Sequence, residues 1–211
     1  MKKIKFGIGS ALMLTASLIS EKGELIAIYL VAALIHELGH LFAAKLRGIK
    51  VERIEFGFSG ARIIVDRGLC SYSSEAILAL FGPLANLIAA ALVMVYAVFW
   101  GCSPEGILMS GIEYMESGGM DIVGILGFFA ASSIVQAAVN LLPVRSFDGG
   151  RILYCILAEA FCEDTAERWI AVGTAFSTFI LWTVALYLML KVAAGLSVFV
   201  FAACIFFSCK N

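Results

Sequence analysis

The stretch LIHELGHLFAAKL, residues 34–46, sets His36, Glu37 and His40 in an HExxH arrangement. On a helix, residues four apart share one face, so the two imidazoles can chelate a single metal ion while the carboxylate beside the first serves as a base toward water. No other histidine occurs in the chain. Both flanks of the motif are apolar, which puts Glu37 in the middle of a hydrophobic segment. An ionisable group there costs at least about 2.5–3.5 kcal/mol on insertion scales, so it is read as functional, and a bound dication would offset its desolvation.

A catalytic zinc site takes three protein ligands and leaves a position open for water. The acids Glu52, Glu55 and Asp66 fall in a polar loop, where solvation accounts for them. Asp148 differs, because it follows an apolar segment in NLLPVRSFDGGRIL, at the same end of the membrane as HELGH. The expected metal set is therefore His36, His40 and Asp148 around one Zn2+, which two imidazoles, one carboxylate and an open position favour. Pro143 lacks an N–H and ends the preceding span. Gly149 and Gly150 permit close backbone approach. Asn140 either contacts the developing oxyanion or substrate backbone, or makes an interhelical hydrogen bond. In FGPLANL, Gly82, Pro83 and Asn86 are expected to kink a span and add a polar contact.

The bulk numbers define the surroundings. Of 211 residues, 62% are hydrophobic and 15% charged, with mean hydropathy +0.98 and net charge -1. Soluble domains hold roughly 45–50% apolar and 25% charged residues, so this is an integral membrane protein whose solvent is the lipid bilayer. No basic run points to nucleic acid. The six cysteines show no CxxC and imply no disulfide framework.

A membrane helix needs about 20 mainly apolar residues. Six stretches qualify, near 5–20, 24–46, 75–100, 121–143, 169–190 and 193–209, and residues 149–161 are expected to form a short helix at the membrane edge. The first stretch is taken as an uncleaved helix. With the N-terminus inside, the inner segments carry 13 of the 15 Lys and Arg residues and leave only Lys22 and Lys191 outside, which puts both termini in the cytoplasm. Residues 102–121 are read as an external acidic loop. Residues 48–68 alternate apolar and polar, which predicts a short β-hairpin between the second and third spans. That segment serves either as a basic loop that fixes topology or as a strand edge for an extended substrate. The expected fold is all-α and polytopic, one domain over 1–211 with its catalytic core in 24–155.

HELGH in a second span, FGPLAN in a third and NLLPxxxxDGG at the end of a fourth together resemble the site-2 proteases, intramembrane zinc metalloproteases of family M50. With its short chain and FGFSG segment, the sequence looks most like the bacterial branch that processes a membrane-associated sigma-factor precursor in sporulation. The resemblance implies zinc on His36, His40 and Asp148, Glu37 as general base, and Asn140 and Pro143 as motif residues shaping the site. It also implies a membrane-associated protein substrate and membrane regulator proteins as partners. A second proline that relatives often carry two residues before the aspartate is replaced here by Ser146, and neither a CBS nor a PDZ domain is expected. The rival reading is a metal-binding membrane protein or transporter. It would call for a polar path or an internal repeat, and the sequence offers neither.

Overall fold

The structure, a computed structural model, describes residues 3–6, 23–49, 51–57, 60–65, 71–117 and 121–191. The chain forms two compact units: residues 1–66 with 81–139, and residues 67–80 with 140–211.

In the first unit the organising element is α1 (Gly23–Leu46). Its buried residues, Ala32, His36, Gly39, His40, Ala43 and Ala44, recur at the helical period and are all small or polar. The outer face carries Leu30, Val31, Leu34, Leu38, Phe42 and Leu46, all exposed. A soluble helix buries its apolar stripe. Here the pattern is inverted, as it must be when hydrocarbon replaces water outside. The helix α2 (Tyr72–Phe99) repeats the arrangement, burying Asn86 and Ala90 while exposing Leu84, Leu87, Ile88 and Leu92. Along α4 (Ile122–Asn140) the buried face is Gly124, Gly127, Ala130, Ser132, Ser133, Gln136 and Ala137. These three are the described helices long and apolar enough to cross a membrane.

Small residues let the helices close on one another without help from the hydrophobic effect. A Cβ on Gly39 would collide with the Phe81 carbonyl and, at 2.8 Å, with Ala85. The helix α3 (Pro104–Ser117) meets α4 in the same way: Gly111 and Gly127 face each other backbone to backbone, and Tyr114 covers Gly124. Side chains cap both starts, with Ser103 accepting from the Gly106 amide at 3.0 Å and Asp121 from those of Val123 and Gly124 at 3.2 and 3.1 Å. The Tyr114 hydroxyl donates to Glu24 at 2.9 Å, tying α3 to the start of α1.

Two sequence expectations are corrected here. Residues 104–117, read as part of an acidic loop, form a helix. Ile107, Gly111 and Tyr114 supply an i, i+4, i+7 inner stripe, and the acids Glu105, Glu113 and Glu116 occupy its other faces. Residues Lys3–Phe6, expected to run into the first span, form a strand, β1. Their Lys-Ile-Lys-Phe alternation has period two, not 3.6. β1 pairs in parallel with β2 (Val51–Gly57), from Lys3 opposite Arg53 to Phe6 opposite Phe56, and β2 pairs antiparallel with β3 (Gly60–Val65). The rest of the expected first span, the expected span at 193–209, Ser59 and both chain ends lie outside the described residues.

In the second unit a short helix α5 (Asp148–Ala160) packs on the long α6 (Glu163–Lys191). Arg151 on α5 pairs with Glu75 at 3.2 Å, and the Tyr72 hydroxyl donates to Glu163. The first contact holds α5, and the second ties the start of α2 to the start of α6.

Replacing Gly127 with Val should force α3 from α4, because the new methyls have no space beside Ile107 and Gly111. Overpacking of this kind costs about 1–3 kcal/mol. Thermal unfolding in detergent should show a lower Tm, and an unchanged Tm would refute the helix contact.

Candidate functional site

Four residues separate His36 from His40, so α1 presents both rings to one side. Their Nε2 atoms stand 3.2 Å apart with the rings nearly perpendicular, at 84°. Two nitrogens bound to one tetrahedral zinc at about 2.0–2.1 Å each lie roughly 3.3 Å apart. The pair therefore has the spacing of a zinc chelate, and both rings are buried, 6% and 7% exposed. Glu37, half-buried, sits one residue along the same helix.

Gly82 completes the space in front of the imidazoles. A Cβ there would run into His40 and would come within 2.8 Å of His36 Nε2. The α2 helix continues unbroken through Gly82-Pro83, although Pro83 cannot donate to the carbonyl one turn earlier. One turn beyond Gly82, the fully buried Asn86 brings Nδ2 to 3.4 Å from His36 Nδ1. It also donates to Gln136 Oε1 at 3.3 Å, and Gln136 Nε2 donates to the Tyr29 carbonyl at 3.1 Å. Three helices thus converge behind one histidine.

In the second unit, Asn140, Pro143, Asp148 and Gly149 share one tight reversal. The helix α4 ends at Asn140, three residues before Pro143, consistent with the clash proline imposes on a preceding helical residue. The chain then folds back so closely that Cβ atoms on Gly149 and Gly150 would overlap the carbonyls of Leu141 and Val144. Asp148 is the first residue of α5 and is 8% exposed. The positive end of the helix dipole favours its carboxylate there. The Arg145 amide donates to Thr174 at 3.0 Å, which anchors the turn to α6.

Of the residues singled out in the sequence, His36, His40 and Asn86 meet in the first unit, while Asn140, Pro143, Asp148 and Gly149 line up in the second. Sequence reasoning misses Gln136 and takes Gly82 only as part of a kink. Nothing local marks Gln136 except a polar residue on an otherwise small-residue face. Arg151, a topology signal in the sequence, holds α5 through Glu75.

Two imidazoles at chelating separation, with a carboxylate beside the first on the same helix, are the HExxH arrangement of a metalloprotease site. Residues 24–184 match Peptidase family M50, and the chain belongs to that family; it is a metalloprotease. Its fold is that of a site-2 protease: the solved Site-2 Protease from Methanocaldococcus jannaschii superposes with a TM-score of 0.62 at 21% identity, covering 98% of this chain and 88% of that one. No curated protein matches the chain.

Gly82→Ala should separate stability from site geometry. Alanine favours a helix interior by about 1 kcal/mol over glycine, yet its methyl displaces both rings. Zinc retention against a chelator should fall at least tenfold with little loss in Tm, and retention equal to wild type would show that the imidazoles do not need this space.

Proposed function

We propose that this chain is a multi-pass intramembrane zinc metalloprotease. It hydrolyses a peptide bond of a membrane-associated protein near the cytoplasmic face, with both termini in the cytoplasm and the catalytic core in residues 24–155. The observation that carries the reading is the convergence of the two Nε2 atoms on a helix whose outer face is apolar. In this reading Asp148 joins His36 and His40 as the third ligand, since all three are buried and a buried carboxylate calls for a cation or donors. Metalloproteases of family M50 use zinc, and the donor set suits one such ion.

Zinc, when bound, supplies a Lewis acid that polarises the scissile carbonyl and acidifies water. Glu37 takes a proton from the attacking water and gives it to the leaving amine, acting as base and then as acid. Asn140 and Pro143 shape the ground beside Asp148, and Gly149 allows the close turn that presents it. A substrate helix hides its carbonyls in hydrogen bonds, so the cleaved segment must be extended, and β3, an outer strand of the described sheet, offers an edge to pair with it. By the resemblance of its motifs, the substrate is a sigma-factor precursor processed in sporulation, under control of membrane regulator proteins.

The test is co-expression with a tagged, membrane-associated sigma-factor precursor from the same genome. Wild type should release the processed form. Glu37→Gln should lower cleavage by about 10²–10⁴-fold, the usual worth of general acid–base catalysis, while keeping its zinc. Asp148→Ala should lose zinc. Cleavage by Glu37→Gln at the wild-type rate would sink the base assignment, and zinc binding unchanged in Asp148→Ala would remove that residue from the ligand set.

A further inference from the structure

The contacts behind His36 have a direction. Gln136 can only donate to the Tyr29 carbonyl through Nε2, so its Oε1 must face Asn86 and accept from it. This fixes the Asn86 amide with Nδ2 toward both Gln136 and His36 Nδ1. Its other end, Oδ1, is buried and has no hydrogen-bond partner among the described residues. An imidazole that ligates through Nε2 carries its proton on Nδ1 and needs an acceptor there. Asn86 holds such an acceptor unused, on the same amide, one half-turn about Cβ–Cγ away.

We propose that Asn86 is a two-position amide that positions His36 for the metal, with Gln136 opposing it. In one position Nδ2 donates to Gln136 and faces Nδ1; in the other, Oδ1 accepts the Nδ1 proton and leaves Gln136 without its donor. Asn86 therefore favours zinc binding and Gln136 resists it. The two residues adjoin in space yet act with opposite sign, which a purely structural role would not produce. The proposal rests on His36 being a zinc ligand.

The experiment measures zinc affinity of the full chain in detergent by competition with a chelator, with Tm and size-exclusion profiles as folding controls. Asn86→Leu, which keeps the volume and removes the acceptor, should lose about 10–100-fold, the usual effect of removing a partner of a ligating histidine. Asn86→Asp, which accepts in either position, should hold zinc at least as tightly as wild type. Gln136→Leu should also bind at least as tightly, and up to about threefold better, as release of one intramembrane hydrogen bond allows. Unchanged affinity in Asn86→Leu, or a fall in Gln136→Leu, overturns the proposal. Should Asn86→Leu fail to fold, Asn86→Asp and Gln136→Leu decide, and weaker binding by either overturns it. His36→Ala keeps the two readings apart. If that variant binds zinc like wild type, the ligand assignment fails; if it loses zinc while Asn86→Leu does not, only the amide proposal fails.

Discussion

Polar side chains inside an apolar surround must find partners within the protein, because no water is there to take them. That constraint explains the inverted pattern of α1, α2 and α4. Their outer faces are leucine, isoleucine, valine and phenylalanine, and their inner faces are alanine, glycine, serine and a few strong hydrogen-bonding groups. Once His36, Asn86 and Gln136 lie in these segments, turning them toward each other lets them partner one another, with Asn86 Oδ1 left over among the described residues. A single such bond in a membrane protein is worth only about 0.6 kcal/mol on average, so the network selects a helix rotation more than it holds the bundle together.

Close approach is what makes that selection possible, and glycine provides it twice over. In the first unit Gly39 admits the Phe81 carbonyl, and Gly82 clears the space before the imidazoles. In the second, Gly149 and Gly150 let the start of α5 lie against the carbonyls of residues 141–144. In each place the methyl that is missing would occupy the space used by a chemically active group or by the backbone presenting it. A helix of average propensity would carry alanine at these positions; glycine there sacrifices helix stability to geometry.

What is legible without the structure follows the reach of local spacing. The His36–Glu37–His40 set stands out because a helix converts a four-residue interval into a shared face. Asp148 stands out because a carboxylate closely follows a proline-terminated apolar segment. The boundaries of α1, α2 and α5 come from apolar length. By contrast, α3 is hidden because three acids mask an i, i+4, i+7 stripe whose inner members include a glycine. The strand at Lys3–Phe6 is absorbed into the apolar run that follows it. Gln136 is beyond reach, since its link to His36 passes through Asn86, fifty residues from each. Such a relation belongs to packing and leaves no trace in local spacing.

The burial of the motif itself follows from helix arithmetic and bears on the chemistry. At about 100° per residue, His36 and His40 project within roughly 40° of each other, and Glu37 lies about 100° from His36 and about 60° from His40, to one side of both. With the imidazoles facing inward, the carboxylate falls at the margin of that face, and it is half-buried while both rings are under a tenth exposed. In the proposed mechanism, ligands and base have opposite needs. A ligand gains from exclusion of water, which would compete for the ion, whereas a base that removes a proton from water must meet it. The HExxH spacing meets both needs on one helix.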